Sequence, residues 1–372
     1  MNPTNDPTWL HFDLHGMVGV RVQASAPTAR QLRTMMGRFE VDHDVPPDIV
    51  VSSDREVMVD AAVIEDELAY NADGVEFRHE HVQVLRLGSS LHVRGAGELL
   101  TTVLPLLDVA MVERRAAMIH AATVGHEDGA VALPAAGGTG KTSTIAKLVR
   151  RPGFSFMGDD WGFVTADGRL LNYEKPMFIK PHHKPIYPHL FQGSRKPLVP
   201  VRLSRPIGRF TTIVHPHIVR YPQLADLARR LSPEHRIVSA QQALPGVPVT
   251  RSAPLRLAVF IERYEGARTR VSERDTDWMA QRMIGNFHIE MPGFSRDVLA
   301  GLAATSHLSL GSFLGAKART IEAALAGVPT YVLQVPSVYS PDIASDDIVM
   351  VVEDLLGRRA DAERAPSGTS VA

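Results

Sequence analysis

The residues whose types and spacing suggest chemistry lie in one short segment. Residues 130–143, AVALPAAGGTGKTS, consist of an apolar run, a glycine-rich turn and a Lys-Thr pair that opens a helical pattern. In such a turn the backbone N–H groups of successive residues point inward and bind phosphate oxygens. Lys141 is placed to neutralise the β- and γ-phosphates of a nucleotide, and Thr142 to hold Mg²⁺ through its hydroxyl. The segment therefore predicts nucleotide binding.

The segment departs from the pattern G-x-x-x-x-G-K-[ST] at one position, because Ala135 stands where the first glycine is expected. Three glycines remain in the turn and allow the positive φ angles that a phosphate-binding loop uses. We expect the nucleotide to contact Gly137, Gly138, Thr139, Gly140, Lys141, Thr142 and Ser143.

An acidic pair follows the next apolar segment. Residues 141–151 have a helical pattern, Pro152-Gly153 breaks it, and residues 154–157 form a short apolar run that ends at Asp159-Asp160. This order predicts a βαβ unit in which the second strand is the parallel neighbour of the first. Carboxylates at the end of such a strand lie where a magnesium ion and an attacking hydroxyl need negative charge.

Composition restricts the class of protein. A chain of 372 residues suits two domains, and a net charge of −1 gives no general basic excess, which argues against nucleic acid as a partner. The chain has no cysteine, which excludes disulfides, thiolate nucleophiles and cysteine-based zinc sites. No apolar run approaches the length of a membrane span. We therefore expect a cytoplasmic protein that contacts neither membranes nor nucleic acid.

The elements that must position these residues suggest three regions. Residues 1–115 contain short strand-like runs and two helical patterns, which predict a small α+β domain with a possible role in substrate recognition. Residues 116–356 would form a second domain that contains the glycine-rich turn and the acidic pair, beginning with a strand that carries His120 and a hairpin turn at 125–129. Residues 357–372 are small and polar, which predicts a disordered tail.

The order of these motifs resembles the catalytic core of HPr kinase/phosphorylase and of the HPr-kinase-like bacterial kinases. The matching motifs are I-H-A-A around His120, A-A-G-G-T-G-K-T up to Thr142, and G-D-D at 158–160. The nucleotide loop of ATP-dependent phosphoenolpyruvate carboxykinase is similar at 138–142 and 158–160. The resemblance covers about residues 116–175. It implies an α/β fold with a P-loop-containing mixed-sheet core, and transfer of the γ-phosphoryl group of ATP, with Mg²⁺, to a hydroxyl.

The resemblance also implies roles for individual residues. Lys141 would neutralise the transferring group and Thr142 would hold the metal. One of Asp159 and Asp160 would hold the metal as well, and the other would accept the proton of the hydroxyl; the sequence does not distinguish them. His120 would lie beside the acidic pair and tune its protonation. The acceptor would be a hydroxyl, such as a serine, of a peptide, protein or small molecule, and the family assembles as homo-oligomers. ATP and GTP both remain open.

A basic segment stands out without any resemblance. Residues 175–209 contain eight Lys or Arg and seven Pro but no Asp or Glu. Such a local positive field attracts phosphate-bearing or acidic ligands, and a guanidinium offers phosphate a planar fork. Arg205 and Arg209 are therefore our candidates for phosphate binding. The alternative is a solvated, proline-rich surface loop.

Three functions are compatible with these patterns. The first is an ATP-dependent kinase, for which positioning and charge neutralisation are sufficient. The second is a reversible kinase/phosphorylase that also removes the phosphate by phosphorolysis. The third is a sensor or scaffold that binds a nucleotide without transferring its phosphate.

Overall fold

The computed structural model of the chain describes residues 8–24, 26, 29–96, 99–192 and 236–364. Within this part, the residues of Met1–Lys175 and Val247–Ala372 form one compact unit and those of Pro176–Gly246 form a second. The architecture is mixed α/β, with two large sheets in the first unit.

The first sheet has nine strands in the order β3-β1-β2-β4-β9-β8-β7-β6-β5. Its strands are β1 Trp9–Leu14, β2 Val18–Gln23, β3 Glu40–Val41, β4 Ile49–Ser52, β5 Ala62–Ile64, β6 Leu68–Tyr70, β7 Gly74–Phe77, β8 Val82–Leu87 and β9 Ser90–Gly95. Alternation places one side of β1 in the core, with Leu10, Phe12 and Leu14 buried. Helix α1, Ala29–Met36, connects β2 to a short 3₁₀ turn, Gly37–Phe39.

Helix α2, Leu99–Glu113, joins the two sheets and is apolar on nearly every side. It contacts β4 and β9 of the first sheet and also the first strand of the second sheet. The predicted boundary near residue 115 therefore falls inside one compact unit with one continuous hydrophobic core. Pro105 lies inside α2 and cannot donate to the carbonyl of Thr101, four residues earlier. The hydroxyl of Ser295 donates to that oxygen at 2.5 Å.

The second sheet has eight strands, and its pairings close a ring from β10 through β13, β14, β17 and β11 back to β10. Its strands are β10 Ala116–His126, β11 Gly129–Pro134, β12 Phe154–Gly158, β13 Trp161–Thr165, β14 Arg169–Asn172, β17 Ser252–Tyr264, β18 Arg270–Glu273 and β19 Thr330–Pro336. Strand β10 is buried along nearly its whole length, which marks a strand that is covered on both faces.

The acidic pair lies at an interruption in the pairing along β10. Strands β12 and β13 both pair antiparallel with β10, and Asp159 and Asp160 connect them. The carbonyl of Asp160 accepts a hydrogen bond from the N–H of Ala121 in β10. Because β10 also pairs antiparallel with β11, it lies between β11 and β12. The prediction that β12 is the parallel neighbour of β11 is therefore wrong. Strand β10, the hairpin partner of β11, lies between them.

Helices cover the second sheet. Helix α3, Lys141–Leu148, follows β11, and the carboxy-terminal part contributes α5 Thr276–Glu290, α7 Leu310–Ala324 and α8 Pro341–Arg364, whereas α6 Gly293–Ala304 packs against α2 and against β7 of the first sheet. Asp275 caps α5 by accepting the N–H of Trp278. Among the described helices, none combines the length and the apolar composition that crossing a membrane requires.

The end of α8 differs from the predicted disordered tail. The helix continues through Gly357 to Arg364, and residues 365–372 lie outside the described part of the chain. An ion pair between Asp354 and Arg358, one turn apart, supports this stretch, and most of its residues are good helix formers.

The second unit is small in its described part. Strands β15, Met177–Ile179, and β16, Arg236–Val238, pair antiparallel. Two 3₁₀ turns, Pro181–His183 and Pro188–Phe191, follow β15, and helix α4, Ala240–Ala243, follows β16 with Ser239 as its cap.

Candidate functional site

The glycine-rich loop, residues 135–140, connects β11 to α3. Gly138 and Gly140 adopt φ angles of +80° and +109°, whereas Gly137 does not adopt a positive angle. The left-handed region is the one that glycine reaches without strain, which explains two of the three glycines. Ala135 still pairs in parallel with Ile261 of β17 and so continues the strand. Extended backbone suits any residue, so the missing first glycine does not disturb the loop.

Lys141 begins α3 and turns its ammonium back onto the loop. Its Nζ donates to the carbonyl oxygens of Ala135 at 2.6 Å and Ala136 at 3.1 Å. The Thr139 hydroxyl also donates to the Ala136 oxygen, at 2.9 Å. Burial lowers the pKa of Lys141, and nearby carboxylates oppose that effect. The loop thus holds a buried cation at its centre.

Thr142 links the start of α3 to the acidic pair. Its Oγ1 donates to Oδ2 of Asp159 at 3.1 Å. The other carboxylate oxygen of Asp159, Oδ1, is buried and has no hydrogen-bond partner among the described residues. Burial, together with the negative charge of Asp160, raises the pKa of Asp159 to about 7. A buried carboxylate oxygen beside a hydroxyl is the kind of donor set that a hard divalent cation prefers.

Asp160 has a different environment from its neighbour. Its Oδ2 accepts from the ammonium of Lys175 at 2.6 Å, and its Oδ1 lies 3.7 Å from Nε2 of His120. Lys175 is itself nearly buried and lies over the ring of Trp161. Burial alone would raise the pKa of Asp160, but the contact with His120 and the charge of Lys175 outweigh it and hold that pKa below its usual range. His120 and Lys175 therefore favour the ionised form of Asp160.

His120 is oriented by an amide from the opposite side of the site. Nδ2 of Asn286, on α5, lies 3.1 Å from Nδ1 of His120 and donates to the carbonyl oxygens of His120 and Ala135. Because those two carbonyls only accept, the NH₂ group must face the ring, and its two hydrogens are shared among the three acceptors; an amide nitrogen does not accept, so Nδ1 can take part only as an acceptor. The ring hydrogen then lies on Nε2, which faces Asp160.

Glu290, the last residue of α5, forms a hydrogen bond with the backbone of the loop. Its Oε1 accepts from the N–H of Gly137 at 2.6 Å. The carboxylate therefore lies at one of the amides that the sequence assigns to phosphate binding, and an anion in this place matches the preference of such a loop.

The structure brings together most of the residues that the sequence selects. The loop, Lys141, Thr142, the acidic pair and His120 are connected by the contacts described above. Ser143 is buried in α3, and its hydroxyl has no hydrogen-bond partner within the described ranges. Arg205 and Arg209 lie outside the described residues.

Sequence analysis missed three residues of the site. Asn286 and Glu290 contact the loop from more than 150 positions away in the chain, and no local motif marks them. Lys175 is the first residue of the basic segment, but its role as the partner of Asp160 has no signal in the spacing.

Comparison of the chain with family models and with curated proteins finds no match. The arrangement of the side chains is therefore what a functional assignment must be built on.

Proposed function

We propose that the chain is an ATP- and Mg²⁺-dependent kinase that transfers the γ-phosphoryl group to a hydroxyl of a peptide, protein or small molecule. The observation that carries the proposal is the hydrogen bond from Thr142 to Asp159. It joins the first turn of the helix after the loop to the acidic pair, although the two are separated by a turn, a helix and a strand. A chance glycine-rich turn has no reason to meet a buried carboxylate of an acidic pair in this way.

The loop and its lysine would bind the nucleotide. The backbone amides of residues 137–140 would donate to phosphate oxygens, and Lys141 would exchange its two loop carbonyls for phosphate. Thr142 and Asp159 would hold Mg²⁺, because Oδ1 of Asp159 is buried beside that hydroxyl without a partner among the described residues. The metal, when bound, supplies positive charge to the phosphate oxygens.

Asp160 would receive the proton of the acceptor hydroxyl. It is about one third exposed, whereas Asp159 is buried, so a substrate can approach it. Lys175 and His120 hold it ionised and fix its direction. A carboxylate of low basicity is adequate, because phosphoryl transfer depends more on positioning than on proton abstraction. These roles fit a P-loop-containing, HPr-kinase-like core. We therefore also propose that the second sheet and its helices form such a core.

The test is phosphoryl transfer from γ-labelled ATP to candidate acceptors, followed by mass spectrometry for the added phosphate. We expect Lys141→Ala, and the double substitution of Asp159 and Asp160 by Asn, each to lower transfer by at least about 10²-fold. Lys147→Ala is the matched control, because Lys147 is on the same helix but pairs with Asp346 on α8. Transfer at the wild-type rate in either site variant would reject the assigned roles.

Two further outcomes separate the related functions. If the phosphorylated product and inorganic phosphate yield pyrophosphate, the enzyme is a reversible kinase/phosphorylase. If ATP binds but no acceptor is labelled in any fraction of a lysate, the chain is a nucleotide-dependent sensor or scaffold.

A further inference from the structure

The contact between Glu290 and Gly137 concerns the same loop to which we assign the phosphates. Oε1 of Glu290 lies 2.6 Å from the amide nitrogen of Gly137, which is the distance of a strong, charge-assisted hydrogen bond. A phosphate oxygen bound to that amide would need the same position. The carboxylate and a phosphate cannot occupy it together.

The position of Glu290 on its own helix is unfavourable. It is the last residue of α5, where the partial negative charge of the helix end opposes a carboxylate. Within the described ranges, Glu290 forms no ion pair at 4 Å or less. The loop amide is the hydrogen-bond donor to this carboxylate, and the charge of Lys141 attracts it over a longer distance.

The same helix holds the loop at a second point. Asn286 donates to the carbonyl of Ala135, and it lies one helical turn before Glu290, on the same face of α5. Together the two side chains tie α5 to the entrance and to the first glycine of the loop. Loss of the contact at Glu290 would leave the tie at Asn286, which also orients His120.

The loop carries independent signs of a ligand site. Oδ1 of Asp159 and Oγ of Ser143 are buried polar atoms without a partner among the described residues, next to and inside the first turn of α3. Buried polar groups are normally hydrogen-bonded, so two exceptions this close to the loop leave polar atoms with which a ligand can interact.

We infer that Glu290 is an internal competitor for phosphate: its carboxylate occupies the Gly137 amide in the nucleotide-free chain and has to leave before a polyphosphate can bind. The inference rests on the proposed function of the loop and adds a regulatory element to it. The ligand binds only the molecules in which Glu290 has left the Gly137 amide. The apparent affinity for the ligand is therefore the intrinsic affinity multiplied by the fraction of molecules in that state. Any event that draws Glu290 away would strengthen nucleotide binding.

The experiment measures the affinity for pyrophosphate in a buffer with EDTA, and for a non-hydrolysable ATP analogue with Mg²⁺, by titration calorimetry. Removing the competing charge with Glu290→Ala should tighten binding of both probes about tenfold. Glu290→Gln should lie between this variant and the wild type, because a neutral amide oxygen is a weaker acceptor for the same N–H. Asp297→Asn removes an exposed carboxylate from α6 and should leave both affinities unchanged.

Equal or weaker binding of the probes by Glu290→Ala overturns the inference and leaves the kinase proposal intact. If only the binding measured with Mg²⁺ is weaker, Glu290 is a metal ligand and the inference is also overturned. Equal tightening by Asp297→Asn would reduce the effect to net charge and also overturns the inference. If the folded wild type binds neither pyrophosphate nor the ATP analogue, the proposed function itself fails. Thermal melts of all variants show that the fold is retained.

Discussion

Two clusters of buried charges in the first unit differ in how completely those charges are satisfied. Asp108 on α2 and Lys317 on α7 form an ion pair in which the side chains are 1% and 0% exposed. Asp108 also accepts the N–H of Met118, and the Lys317 ammonium lies 3.7 Å from the centre of the Phe287 ring. Each charge therefore has partners on several elements.

The acidic pair of the candidate site is the opposite case. Two carboxylates adjoin each other, one of them has a buried oxygen without a partner among the described residues, and the pKa of Asp159 is raised to about 7. Satisfied buried charges hold elements together, whereas unsatisfied ones cost stability and are kept where a ligand completes them. The pair on α2 and α7 thus has the features of a structural polar cluster, whereas the acidic pair has those of a ligand site.

The largest effect should come from breaking the satisfied pair. Lys317→Met leaves the carboxylate of Asp108 buried without its counter-charge, so we expect a loss of about 3–5 kcal/mol in the free energy of unfolding. Urea denaturation measures this. Adding Asp108→Asn, which keeps an oxygen for the Met118 amide, should recover much of the loss. A single variant as stable as the wild type would show that the pair is not a structural element.

The reverse is expected for Asp159. Its raised pKa means that the folded chain holds a proton that the unfolded chain releases at lower pH. The stability from this group is therefore complete below the unfolded pKa of 3.8 and is lost as the pH rises through about 7. Asn does not ionise, so Asp159→Asn should be more stable than the wild type at pH 8, by at most about 4 kcal/mol, and by much less at pH 4.

Urea denaturation of both proteins at the two pH values checks this prediction. The same variant should be inactive in transfer, which would make stability and function opposed at this residue. An Asp159→Asn variant that is less stable than the wild type at pH 8 would show that the ionised carboxylate of Asp159 does not cost stability in the folded chain.

The smallest effect concerns two neighbouring hydroxyls in α3. Ser143 is buried without a hydrogen-bond partner among the described residues, whereas the hydroxyl of Thr144 donates to the carbonyl of Gly140. Ser143→Ala removes an unsatisfied group and should raise the free energy of unfolding by about 0.5–1 kcal/mol. Thr144→Val removes a satisfied one and should lower it by about 1 kcal/mol. Thermal and urea unfolding measure both changes in stability. If the two variants change the free energy of unfolding in the same direction, the hydroxyls of Ser143 and Thr144 do not differ as proposed.

The candidate site was predictable from sequence only where its residues are close in the chain. The loop, Lys141 and Thr142 follow from one motif of local spacing, and the turn that carries Asp159 and Asp160 follows from the end of an apolar strand. Even there the predicted strand order was wrong. Strand β12 pairs with β10 instead of with β11, so β10 lies between the two. Hydrophobic alternation indicates that a segment is a strand, but it does not state which strand lies beside it.

The sequence by itself determined the glycine-rich turn, the charges that accompany it and the mixed α/β character of the chain, since these depend on local conformational preference and on periodicity. Only the tertiary structure decided that Lys175 pairs with Asp160, that Asn286 orients His120 and that Glu290 lies on the Gly137 amide. The last two contacts join residues 166 and 153 positions apart. Packing of α5 against the second sheet creates them, and no local pattern encodes that packing.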